Sequence, residues 1–203
     1  MKVVLASQNP HKLAEMQKIL GTLGMEVLLE RDVGVNVEVE ETGTTFAENS
    51  LLKAQAVFDA THLATVADDS GLMVDALDGA PGVYSARYGG CHTDAERIAL
   101  LLENMKDVPD EQRTAQFVCA VTCLMPDGRK IAVQGVCPGV ILRAPRGEGG
   151  FGYDPLFVVG EKSFAEMTPA EKDAVSHRGH ALTAFAAELR MYLSAQNKGD
   201  TIC

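Results

Sequence analysis

Three times this chain sets a threonine three residues ahead of a glutamate, just before an apolar run: Thr45 and Glu48, Thr93 and Glu96, Thr168 and Glu171. In such a box the hydroxyl accepts the glutamate's backbone N–H and the carboxylate reaches back to the threonine's, so each pair predicts a helix start. The first helix carries an apolar stripe through Leu52, Ala56 and Ala60, with Lys53 at its flank. The second runs through Leu100, Leu101 and Met105, and the third, opened by Pro169, carries Lys172. A further helix follows Asn9 as N-cap and Pro10 as first residue, with Leu13, Met16, Leu20 and Leu23 on one face. The last is expected over Ala181–Leu193, after Ser176-His177-Arg178-Gly179 interrupts the third. Between them lie short apolar and β-branched runs that read as strands: 2–6, 26–29, 34–40, 64–66, 73–75, 117–125, 129–136 and 156–159. Pro126-Asp127-Gly128 joins two of these as a hairpin, and 140–143 extends its second arm. Helices and strands thus share one chain. Its 203 residues carry no internal repeat, low-complexity tract or linker, so a single domain over 1–203 is expected.

The net charge of −10 opposes approach to duplex nucleic acid or an anionic membrane surface, so neither is expected as a partner. No apolar run nears the ~20 residues of a membrane span. Five irregularly spaced cysteines and no secretory-type start point to reduced thiols and a cytoplasmic protein. Cys119 and Cys123 alternate with Phe117 and Val121, which suits core packing better than half of a zinc site.

Several polar clusters remain. Ser7, Gln8, Asn9, Pro10, His11 and Lys12 pass from a strand into a helix start, offering backbone N–H groups and an ammonium to an anion. Glu38 and Glu40 share the polar face of an alternating strand that closes at Glu40-Glu41-Thr42-Gly43. Asp68-Asp69-Ser70-Gly71, expected as a turn at a strand end, offers oxygen ligands for a hard cation and a carboxylate able to take a proton from water. Gly147-Glu148-Gly149-Gly150-Phe151-Gly152-Tyr153-Asp154-Pro155 is a loop whose backbone can approach a flat ligand, with both aromatics offered for stacking. Lys12, Lys53 and Lys172 supply the local positive field that the overall charge denies. Together these describe a site for a phosphorylated, metal-bound ligand with a planar base.

These motifs, in this order, resemble the bacterial branch of the inosine triphosphate pyrophosphatase family. The likeness rests on Ser7-x-Asn9-x-x-Lys12, Glu40-Glu41-Thr42-Gly43-x-Thr45-Phe46-x-Glu48-Asn49, Ala67-Asp68-Asp69-Ser70-Gly71-Leu72, Pro81-Gly82-Val83-Tyr84-Ser85-Ala86-Arg87-Tyr88, Phe151-Gly152-Tyr153-Asp154-Pro155 and Ser176-His177-Arg178-Gly179. It runs from the first strand to the last helix. Ser7 stands where the family usually has threonine, and His11 where glycine is frequent. The resemblance implies an elongated, two-lobed α/β fold around a long twisted mixed sheet, with the active site in the cleft between lobes, and a homodimer. It implies Mg²⁺-dependent hydrolysis of ITP, dITP or XTP to the monophosphate and pyrophosphate. By matched position Asp69 is the general base, Ser7 to Lys12 hold phosphate and Ser70 touches substrate. Phe151, Gly152, Tyr153, Asp154, Lys172, His177 and Arg178 complete the nucleotide site. Asp69 with one glutamate of the pair satisfies the metal; Glu40 is favoured for the face it shares with Glu38, with Glu41 the alternative. Two other readings are a Maf-like pyrophosphatase acting on other triphosphates and a non-catalytic nucleotide-binding module. The intact Asp68-Asp69 and Lys53 argue against the last.

Overall fold

The computed structural model describes residues 1–7 and 10–199, the side chains of residues 10, 11 and 197–199 excepted. All three threonine–glutamate boxes form. Thr45 Oγ1 accepts the Glu48 N–H at 3.1 Å while Glu48 Oε2 accepts that of Thr45 at 3.0 Å. In chain order the elements are β1 (Lys2–Leu5), α1 (Pro10–Gly21), β2 (Glu26–Leu29), α2 (Phe46–Thr61), β3 (Thr65–Val74) and α3 (Asp94–Asn104). Then come β4 (Thr114–Leu124), β5 (Lys130–Ile141), β6 (Phe157–Val159), β7 (Lys162–Ser163), α4 (Pro169–Val175) and α5 (His177–Gly199). One mixed sheet takes the strands in the order β2-β1-β3-β4-β5-β6-β7. Strand β1 pairs in parallel with β2 and β3, whereas β5, β6 and β7 are antiparallel neighbours.

The chain forms two compact units, one from residues 1–69, 120–134 and 181–203, the other from 70–119 and 135–180. In the first, Val3, Val4 and Leu5 of β1 are wholly buried, as expected of a strand flanked on both edges. Val4 and Ala6 pack with Ala54 and Val57 of α2 and Ala67 of β3. In the second, Phe117 meets Phe157 edge-on at 4.7 Å and stacks on Phe164 at 5.7 Å, amid Leu72, Leu101, Met105, Ile141 and Leu156. The buried Arg113 donates to the carbonyls of Met105, Ile141 and Leu142, tying the end of α3 to the end of β5.

Four expectations need correction. The segment 34–40 keeps its alternating burial but joins no ladder; the Val37 N–H is taken by the buried Glu30 carboxylate at 2.9 Å. The Asp68–Gly71 turn is instead the middle of β3, which runs unbroken over ten residues. The last helix starts at His177, so only Ser176 separates it from α4 and His177 and Arg178 form its first turn. Helix α2 is also rotated from its predicted setting. Leu52 is exposed, and the buried stripe is Phe46, Asn49, Ser50, Ala54 and Val57. Two polar residues disguise that stripe in the sequence, and the rotation brings Lys53 inward.

Candidate active site

Side chains alternate across a strand, so β3 sends its two adjacent aspartates to opposite faces. Each meets a lysine from a different helix. On one face Asp68, fully buried, accepts from Lys12 Nζ at 2.8 Å. Lys12 lies in the first turn of α1, as predicted. On the other face Asp69 Oδ1 accepts from Lys53 Nζ at 3.0 Å, and Asp69 Oδ2 from Asn49 Nδ2 at 3.3 Å. Lys53 Nζ also donates to Glu41 Oε1 at 2.7 Å. Two carboxylates therefore converge on one ammonium that is itself largely shielded from water.

The electrostatics follow from that burial. Desolvation raises the Asp69 pKa, the Lys53 charge and hydrogen bond only partly offset it, and the Glu41 charge adds to the rise. Burial works to lower the Lys53 pKa, but the charges and hydrogen bonds of Asp69 and Glu41 outweigh it, so the net shift is upward. Asp69 is consequently a stronger base than an ordinary surface aspartate, while Lys53 stays an ammonium.

Asn49 is the residue that sequence reasoning leaves out of the site, and Glu41 is its alternative to Glu40. With no strand over 34–40, the shared-face argument for Glu40 lapses: Glu40 is exposed, and Glu41 reaches Lys53. Asn49, wholly buried, accepts from the Gly43 N–H at 2.8 Å while donating to Asp69. The sequence signal for Asn49 is only its place next to the capping Glu48.

In the second unit the loop over 149–154 is drawn round Asp154, a carboxylate only 3% exposed. Its Oδ2 accepts from the Phe151 N–H at 2.9 Å and from Lys172 Nζ at 2.5 Å. The same ammonium lies 4.8 Å from the centre of the Phe151 ring and 5.3 Å from that of Phe164. Phe151 itself is 76% exposed, an aromatic face backed by a cation. Tyr153 corrects the expectation of two stacking aromatics. Its ring is buried, its hydroxyl donates to the Ser85 carbonyl at 3.0 Å, and burial raises its pKa. His177 stacks on Phe117 with ring centres 4.8 Å apart.

Helix α5 begins hard against α4. A Cβ on Gly179 would fall 1.9 Å from the Asp173 carbonyl oxygen, so only glycine permits that approach. The Gly179 N–H donates to Ser176 Oγ at 3.1 Å, which caps α5 and fixes the turn carrying His177 and Arg178. Ser7 and Ser70 are half-buried. Gln8 and Asn9 lie outside the described residues, while Pro10 and His11 are placed in α1 by their backbone alone.

The model of the Ham1 family matches residues 3–188, from β1 into α5. This chain belongs to the Ham1 family. A family relative from Thermus thermophilus, named dITP/XTP pyrophosphatase, is 55% identical over 186 residues, covering 91% of this chain and 89% of its own. One of the same name from Escherichia coli is 49% identical over 194 residues, covering 93% and 98%. Among solved Ham1 structures, that from Coxiella burnetii superposes with a TM-score of 0.89 at 43% identity, covering 94% of this chain and 99% of its own. The family match extends across both compact units, so the Asp69–Lys53 cluster and the Phe151–Lys172 loop are parts of one family architecture.

Proposed function

We propose that this chain hydrolyses non-standard purine nucleoside triphosphates, ITP, dITP and XTP, to the monophosphate and pyrophosphate. The observation that carries the reading is Asp69, a carboxylate made more basic by burial and held on both oxygens by Lys53 and Asn49. Relatives about half identical along nearly the whole chain bear the name dITP/XTP pyrophosphatase, which supports the substrate class.

In the proposed reaction a water adds to the α-phosphorus, the bond to the bridging oxygen breaks, and pyrophosphate leaves. Asp69 takes the water's proton. Lys53 stays charged and holds the carboxylate in place. Lys12, fixed by Asp68 at the helix start, meets the phosphates together with Ser7, and Gln8, Asn9, Pro10 and His11 share that role by their place in the matched motif. Ser70, next to the base along β3, contacts the substrate.

Asp69 and Glu41 present two carboxylates joined through one ammonium, and among the described residues no cluster of three or more His, Cys, Asp or Glu could form a closed cage. Magnesium favours one or two carboxylates completed by water and phosphate oxygens, so this set fits it. Bound there by Asp69 and Glu41, the ion would neutralise charge on the triphosphate and the leaving pyrophosphate.

We assign the base to the second unit's residues. Phe151 is the stacking face, and Lys172 and Asp154 hold it. Donors from His177 and Arg178 meet the 6-oxygen that hypoxanthine and xanthine share. Adenine would set an amine against those donors, a mismatch worth about 10⁴ or more in selectivity. The protein works in the cytoplasm as a homodimer on this reading. The test is product analysis of ITP, XTP, GTP and ATP with Mg²⁺. Pyrophosphate from ITP and XTP is the expected result; orthophosphate, or equal rates on ATP, refutes the reading.

A further inference from the structure

Phe151 is the most exposed large apolar side chain described, and an exposed aromatic at a loop tip ordinarily samples several orientations. Here the two backbone N–H groups around it are both tied to carboxylates. That of Phe151 is held by Asp154 at 2.9 Å, from inside the loop. That of Gly152 is held by Asp94 Oδ2 at 2.8 Å, from the first residue of α3, 58 positions earlier. Asp94's other oxygen is gripped by Arg97 one turn along, and Arg97 also donates to the Cys91 carbonyl at 3.2 Å. The Arg97 side chain is 13% exposed and that of Asp94 46%. Gly152 sits at φ +59°, in the left-handed region, with open space where a Cβ would be. Glycine is needed there for the backbone angle, not for room.

An acidic residue in a helix's first turn is often explained by the helix dipole alone. The dipole does not account for an oxygen directed at a distant loop while an arginine fixes the other. We infer that Asp94, locked by Arg97, is a positioning residue that holds the Phe151 face ready for the purine base through the Gly152 N–H. The inference rests on the assignment of Phe151 as the base-stacking face. Preorganised, the loop need not be ordered when substrate binds, so the benefit falls on substrate affinity and not on the chemical step. Both tethers lie within the second unit.

The test compares Asp94→Ala, Asp94→Asn and Phe151→Ala in the full-length protein with Mg²⁺ and ITP. It is paired with amide exchange of Gly152 in the nucleotide-free protein. Asp94→Ala is expected to raise KM for ITP roughly five- to tenfold with kcat within about twofold, the scale of one charge-assisted hydrogen bond at a half-exposed site. Gly152 exchange should quicken while the buried amides of Leu101 and Phe117 hold. Asp94→Asn, which keeps an acceptor, should lie near the wild type on both counts. If Asp94→Ala fails to fold, Arg97→Gln, which releases the carboxylate, should shift KM and Gly152 exchange in the same direction by a smaller factor. Unchanged Gly152 exchange and KM in Asp94→Ala would overturn the inference while a raised KM in Phe151→Ala kept the stacking assignment. An unaltered KM in Phe151→Ala would instead remove the stacking assignment and the role of Asp94 with it.

Discussion

Replacing Lys172 by methionine tests how the nucleotide loop is held, independently of turnover. Lys172 Nζ lies 2.5 Å from Asp154 Oδ2, and the Asp154 side chain is 4% exposed against 21% for the lysine. Without the ammonium, that carboxylate keeps the Phe151 N–H but stays buried without a countercharge. Breaking a buried ion pair from one side costs about 3–5 kcal/mol. Water reaching the lysine end lowers this to about 2–3 kcal/mol here. For a chain of this length 1 kcal/mol moves Tm by about 2–4 °C, so Lys172→Met should melt roughly 4–12 °C lower. Asp154→Asn is the informative partner. It keeps an acceptor for the Phe151 N–H and leaves a lysine able to turn its head to water, so it should cost about 1 kcal/mol. The double mutant should regain much of what Lys172→Met loses. The assay is thermal unfolding by circular dichroism at pH 7 without nucleotide. Equal losses in the two single mutants, or strictly additive losses in the double, would refute the argument.

Asp69→Asn should lower turnover at least a thousandfold while moving stability by no more than about 1 kcal/mol, since it removes a burial-disfavoured charge and keeps a polar group beside Lys53 and Asn49; chelation by EDTA should abolish activity in the native enzyme and added Mg²⁺ restore it. Gly179→Ala should destabilise by about 1–3 kcal/mol and weaken ITP binding, because the new methyl drives α5 off the Asp173 carbonyl; a normal melting curve with normal KM would contradict this. The Lys162 ammonium and the Thr168 cap bring the Glu171 pKa from 4.5 down to about 2. A lowered folded value means the cap contributes fully above pH 4.5 and is lost as pH falls toward 2, so a ¹³C carboxyl titration with a midpoint near 4.5 would count against the cap. Burial pushes the Cys123 and Cys137 thiols up to about 12 and 11, so a thiol reagent at pH 8 should label half-exposed Cys91 well before either; earlier labelling of Cys123 would show that the core opens.

What the sequence made legible was local. A capping box is written within four residues, and all three appeared where predicted, because their hydrogen bonds need nothing from the rest of the chain. The hairpin at Pro126-Asp127-Gly128 was legible for the same reason, and Met125 and Arg129 close it. Rotation about a helix axis was not. Leu52, Ala56 and Ala60 make a plausible apolar stripe, yet the core received Phe46, Asn49, Ser50 and Val57, because Asn49 and Ser50 find partners in Gly43, Asp69 and Ala67. Those partners are 6 to 20 residues distant, beyond any periodicity window. The placing of Glu41 beside Lys53 follows from the same rotation. Tyr153 misleads in another way: an aromatic in a glycine-rich loop suggests display, but its hydroxyl is held in the core by the Ser85 carbonyl.

The threading of the chain has a consequence for biosynthesis. The first unit needs residues 120–134 and the helix after residue 180, yet its β1 and β2 strands and the start of β3 are made first. At a ribosomal pace of about 5–20 residues per second, the stretch from residue 69 to 181 takes roughly 6–22 seconds to emerge. For that interval Val3, Val4 and Leu5, which end wholly buried, have no finished core to enter. A nascent chain of this order should therefore lean on holding chaperones during synthesis. Ribosome-stalled chains ending near residue 110 should be far more protease-sensitive than those carrying α5.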